Sequence, residues 1–152
     1  MSYIEQNLMN GENIIYRGKL HWVIFLWPAI WFIVAIYFSH GGSSVSGLFF
    51  LIAAVTGVGS FIDYTTSEFG ITNKRVIAKF GLIRRKSLEV LLSKVEGIEV
   101  SQGVLGRILG FGSITVSGTG GTRDPFRNID APFEFRKKAQ EQIAAVQDSK
   151  YV

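Results

Sequence analysis

Trp22-Val-Ile-Phe-Leu-Trp-Pro-Ala-Ile-Trp-Phe-Ile-Val-Ala-Ile-Tyr-Phe38 contains no charged residue. As an α-helix at 1.5 Å per residue it would cross about 26 Å, close to the ~30 Å thickness of bilayer hydrocarbon. A second uncharged run, Val45 to Ile62, has matching length, and only Ser39-His-Gly-Gly-Ser-Ser44 lies between them. The pair predicts a transmembrane helical hairpin over 22–62, with spans at 22–38 and 45–62 and a loop at 39–44. Two buried helices of a soluble core are the competing reading, disfavoured by length and spacing. Pro28 predicts a kink inside the first span.

The flanks set an orientation. Arg17 and Lys19 precede the first run, Lys74 and Arg75 follow the second, and the connecting loop has no basic residue. Excess positive charge marks the cytoplasmic side, so both termini are expected there. Trp22, Tyr37 and Tyr64 fall where interfacial aromatics are found. A secretory signal is the rival for the first run, but the preceding segment carries acidic groups and no A-x-A site follows. In the second run Ala53, Gly57 and Ser60 present a small surface that permits close helix approach, either within the hairpin or between copies.

The rest of the 152 residues is of another character. The chain is 47% hydrophobic, and that excess is concentrated in the two runs. Residues 1–62 carry Arg17 and Lys19 against Glu5 and Glu12, so the net charge of +4 belongs to the 14 basic and 10 acidic residues that follow. There is no cysteine, which excludes disulfides, thiolate metal sites and cysteine nucleophiles.

After Asp63 the pattern alternates. Glu68–Thr72 and Arg75–Gly81 flank the turn Asn73-Lys74, and Arg84–Leu91, Val95–Ser101 and Ser113–Thr119 read as further strands. Arg123–Ile129 reads as an edge strand because Pro125 lacks a ladder donor. Glycine-bracketed Gly103–Gly112 predicts one short helical turn. A closing helix is expected from Pro132 to Gln147, capped by Asp130, with Phe135, Ala139, Ile143 and Val146 on one stripe. Before the first run, Asn13–Leu20 predicts one more strand. Domain limits follow at 1–21, 22–62 and 63–147, with a tail at 148–152.

In this order, Gly11–Trp22, the two spans, Gly70-Ile-Thr-Asn-Lys-Arg-Val-Ile77, Leu105-Gly-Arg-Ile-Leu-Gly-Phe-Gly112 and Gly118-Thr-Gly-Gly-Thr122 resemble the bacterial membrane-flanked family whose soluble part is a pleckstrin-homology-like (PH-like) domain. The six or seven antiparallel strands followed by one helix predict a small closed or split mainly-β barrel, with an open α+β sandwich as the alternative. The resemblance implies that this is a PH-like barrel with a C-terminal helix, at the bacterial inner membrane. It implies no particular activity.

Chemistry-bearing constellations are scarce. His21 and His40 lie at opposite ends of the first span, too far apart for a shared metal site. Glu96 and Glu99, three apart on a strand, are expected on opposite faces, a poor acid/base pair. Gly118–Thr122 lacks the G-K-[ST] ending of a phosphate loop and reads as a tight turn. No catalytic residue, metal or cofactor is expected. Lys74, Arg75, Arg84, Arg85 and Lys86 form the most functional-looking cluster, a candidate surface for an anionic headgroup or a partner. Each basic side chain close to an anionic leaflet contributes about 1 kcal/mol. Nucleic acid is not expected, since the charge is modest and the strand aromatics form no stacking platform.

The expected function is a non-enzymatic membrane-anchored adaptor or scaffold whose domain binds a partner protein or other copies of itself. Recognition of anionic phospholipid headgroups is the alternative, and an accessory role in a transport or channel complex a second one.

Overall fold

The computed structural model describes residues 3–42, 44–81, 86–121 and 125–150, with only the backbone of Lys86 and Lys150. Two antiparallel sheets make up the β-structure. The first contains β1 (Ile14–Gly18), β2 (Glu68–Thr72), β3 (Arg75–Phe80) and β4 (Lys86–Leu91) in that order, and the second β5 (Val95–Ser101), β6 (Phe111–Gly118) and β7 (Pro125–Asp130). The predicted Asn13–Leu20 strand is therefore present as β1, and it pairs with β2 through Arg17 opposite Gly70 and Gly18 opposite Phe69.

The β-structure does not close into a barrel: it is split into these two sheets. A one-turn 3-10 helix at Leu92–Lys94 interrupts the chain between β4 and β5. On the other side the sheets meet at one bridge, Leu20 opposite Ile129, flanked by His21 N–H donating to Asn128 O at 2.7 Å and Asp130 N–H to Lys19 O at 3.0 Å. The core lies between the sheets, with Phe69, Ile71, Val76 and Ala78 from the first facing Ile114, Val116, Phe126 and Ile129 from the second. The alternation read in β6 is the one observed, since Ile114 and Val116 are both fully buried.

Helix α5 (Pro132–Lys150) covers the open flank and runs past the expected end at Gln147. Its stripe packs as predicted: Phe135 and Ala139 are buried, and Ile143 and Val146 rest against the core. The cap differs. Asp130 ends β7, and the first-turn N–H groups of Glu134 and Phe135 donate to the carbonyl of Ala131, which holds a left-handed φ of 45°. The short turn predicted near Gly103–Gly112 is α4 (Val104–Leu109), stopped by Gly110 at φ 83°. Glu96 and Glu99 do not alternate as expected: a bulge between Val95 and Gly97 shifts the period, and both are exposed.

Between β1 and β2 stand two long antiparallel helices, α2 (Leu26–His40) and α3 (Ser46–Thr66). With the preceding 3-10 turn at Trp22–Phe25, the first makes an apolar segment from Trp22 to His40, and both are long and apolar enough to cross a membrane. Aromatic rings fasten them together, Trp31 stacking on Phe49 at 5.9 Å and Phe38 on Phe49 at 5.2 Å. Pro28, the residue expected to kink the first span, lies in the first turn of α2 directly after the 3-10 turn, where a missing N–H disrupts least.

Candidate functional site

The outer face of the first sheet does not lie open. Arg17 opposes Gly70, Gly70 opposes Ile77 and Ile77 opposes Glu89, forming a row across four strands. Helix α1 (Tyr3–Gln6) lies over this row. Its Tyr3 and Ile4 N–H groups donate to the carboxylate of Glu68 at 3.2 Å, and Ile4 fills the space left by Gly70, where a Cβ would come within 2.8 Å of Ile4 Cδ1. Ile4 and Ile77 are both buried as a result.

This N-terminal cover engages the basic residues beneath it. Arg75 Nε donates to Glu12 Oε1 at 2.9 Å, and its guanidinium also reaches Glu89 and the carbonyl of Asn7. Thr72 Oγ1 donates to Glu12 at 2.7 Å, and Met9 N–H donates to the same carboxylate. Arg17 pairs with Glu5, Lys74 Nζ donates to Asn10 O at 2.7 Å, and Lys79 Nζ sits 4.3 Å above the Tyr3 ring. Burial pushes the Glu12 carboxyl up, yet the hydrogen bonds from Arg75, Met9 and Thr72 outweigh it and hold the group below its ordinary value. Arg75 is raised, chiefly by its bond to Glu12, against the opposing effect of burial.

The predicted basic cluster is described only in part. Arg75 is only 5% exposed and its charge is directed inward. Lys74 remains exposed beside it. Arg84 and Arg85 lie outside the described residues, as does the side chain of Lys86. Ala53, Gly57 and Ser60 all face the first helix: Ala53 is buried, Gly57 passes Pro28 so closely that a Cβ would lie 3.7 Å from the proline's, and Ser60 Oγ donates to Ile24 O at 3.2 Å. Ile24 is four residues before Pro28, so its carbonyl is the one an ordinary residue at 28 would serve. Ser60 supplies the donor that proline lacks.

His21 joins the helix pair to the sheets. Its Nδ1 accepts from Val23 N–H at 3.2 Å and caps the 3-10 turn, its Nε2 lies 4.0 Å from Asp130, and its ring sits between those of Trp22 and Phe111. Next to it an open cleft of about 720 Å³ lies at the foot of the helices. Ile24, Asp63, Phe80, Gly81, Arg127 and Asn128 are among the residues that line it. Sequence reasoning missed this cleft because its walls come from segments remote in the chain. Among the described residues no group of three or more His, Cys, Asp or Glu side chains is placed to hold a metal ion.

The family model described as Bacterial PH domain matches residues 21–143. The chain belongs to the bacterial PH domain family. The match takes in the apolar helices as well as β2 to β7 and most of α5. No curated protein and no solved structure matches the chain. In this bacterial PH domain the sheet outer face is filled by the N-terminal segment, and an open cleft lies at the foot of the apolar pair.

Proposed function

We propose that this bacterial PH domain protein is a non-enzymatic adaptor, anchored as a transmembrane hairpin in the inner membrane with both termini cytoplasmic, where its β-domain binds a partner protein or further copies of itself. The observation that carries this proposal is the exposure of the helix pair. Only 11% and 6% of the most apolar stretches of the two helices are buried. Helices of a soluble core would be covered, whereas an apolar surface this large left open calls for lipid. The domain is tied directly to that pair through β1 and β2, which would hold it within reach of the bilayer surface. PH-like domains are in general interaction modules without catalytic chemistry, which favours an adaptor over an enzyme.

The test is fractionation and crosslinking of the full chain in cells. The proposal expects the protein to stay with membranes through alkaline carbonate, reporter fusions at both ends to read cytoplasmic, and crosslinks to a second protein or to itself. Release by carbonate would refute the anchor. A strict monomer in mild detergent with no crosslink would refute the adaptor.

A second reading, headgroup recognition, is favoured by the position of the cleft. Arg127 offers a cation and Asn128 an amide where a phospholipid beside α2 and α3 would place its phosphate. Full chain in mixed vesicles should retain anionic lipid through detergent exchange, and Arg127→Ala should reduce that retention. Equal retention of anionic and zwitterionic lipid by both proteins would count against it.

A further inference from the structure

Helix α4 presents its apolar side chains to the outside. Val104 is 76% exposed, Leu105 65% and Ile108 74%. The spacing i, i+1 and i+4 puts them on one face. They cannot turn inward, because α4 packs through Gly106, the buried residue of this helix: a Cβ there would collide with the carbonyl oxygen of Phe111. Gln102 Nε2 donates to Gly106 O at 3.1 Å and holds the turn in that orientation. The exposed face is thus set by backbone packing.

The position of α4 says what could cover that face. Gly110 and Phe111 follow it directly, and the Phe111 ring lies 5.4 Å from His21, the residue that caps the turn entering the first apolar helix. Ala131 N–H donates to Gly110 O at 3.1 Å, bringing the first turn of α5 to the same corner with Phe133, half exposed. Arginines stand at its edge, with Arg107 exposed on α4 and Arg136 5.4 Å from the Phe133 ring, and the carboxylates of Asp130 and Glu134 are exposed at the same corner. An apolar centre with arginines at its edge, beside the root of an apolar helix, has the composition of an interfacial membrane contact.

We infer that α4 is a lipid-dipping wedge, with Val104, Leu105 and Ile108 entering the boundary between headgroups and acyl chains next to the helix pair. This rests on the anchored reading above and adds a second contact that fixes the tilt of the β-domain on the bilayer. Interfacial helices of this kind penetrate about 5–10 Å. Arg107, on its flexible stem, would reach back to the phosphates.

The natural chain has no cysteine, so single spin labels can be placed cleanly. Leu105→Cys, Ile108→Cys, Ile33→Cys in α2 and Gln147→Cys on exposed α5 are each labelled in the full chain and reconstituted into phosphatidylethanolamine/phosphatidylglycerol vesicles. Collision with oxygen and with a water-soluble nickel chelate then gives the depth at each site. The wedge predicts oxygen-favoured collision at 105 and 108, of the same sign as at 33 and opposite to 147. Nickel-favoured collision at 105 and 108 with 33 still in lipid overturns the wedge and leaves the anchor standing. Nickel access at 33 overturns the anchor, and the wedge with it. Mutual broadening of labels at 105 with access to neither reagent means a second copy covers the face, and also overturns the wedge.

Discussion

Arg75 Nε lies 2.9 Å from Glu12 Oε1, an ion pair that joins the segment before the apolar helices to the hairpin after them. The carboxylate side chain is fully buried and the guanidinium nearly so. A buried pair adds little over a well-packed apolar pair, but removing one member strands the other. Arg75→Met or Glu12→Gln is therefore expected to cost about 3–5 kcal/mol. Thermal unfolding of the full chain in mild detergent reads it, and a loss no larger than that of an exposed control such as Lys137→Met would refute this role.

The same pair sets a pH dependence. The folded Glu12 carboxyl lies below its ordinary 4.5, so the unfolded chain binds the proton more tightly. Its contribution is fully present above about pH 4.5 and is lost as pH falls through the lower folded value. The unfolding temperature should drop as pH falls below about 4.5. Glu12→Gln should flatten that part of the profile, and an unchanged slope in the variant would assign the effect to other carboxyls.

The hydroxyl of Ser60 donates to the Ile24 carbonyl, four residues before Pro28, where the proline has no N–H to offer. Interhelical side-chain bonds in membranes average about 0.6 kcal/mol and reach about 1.7. Ser60→Ala should cost an amount in this range with Pro28 present. In a Pro28→Ala background, where residue 28 regains a donor, the cost should shrink. A double-mutant cycle with no coupling would separate the two residues.

Gly106 and Gly70 are both closely approached, by different kinds of atom. A Cβ at 106 meets the backbone oxygen of Phe111, whereas at 70 it meets the tip of Ile4, which can rotate aside. Gly106→Ala should destabilise by roughly 1–3 kcal/mol, as overpacking does, and Gly70→Ala by less. Denaturant midpoints compare them, and a reversed order would contradict the packing of α4.

Strands β2 to β7 were legible as short apolar-rich runs between turn residues, with Ile114 and Val116 alternating within β6, and the stripe of α5 because Phe135, Ala139 and Ile143 recur along one helix. The two apolar runs were legible from length alone. What could not be read is whatever depends on pairs distant in the chain. Arg75 looked like a surface cation because nothing near it in sequence announces Glu12 or the Asn7 carbonyl. Residues 3–12 have no conspicuous period, yet through Ile4 and Glu12 they bury one face of a sheet. The limits of β4 and β5 at Leu91 and Val95 were legible, while the 3-10 turn that fills Leu92–Lys94 gives no strong signal of its own. Likewise, helical spacing at Val104, Leu105 and Ile108 identified a turn of helix without saying which way it faces.

The strands β1 and β2 hydrogen-bond to each other although the entire apolar pair is threaded between them. In an anchored chain that ladder imposes parity: the two strands can meet only if the polypeptide between them crosses the bilayer an even number of times. A chain that inserts one helix and stalls would leave β1 on one side and the remaining strands on the other, with the edge of β2 unpaired and Gly70 uncovered. Completion of the first sheet would then act as a proofreading step on insertion, coupling correct folding of the domain to correct entry of its anchor.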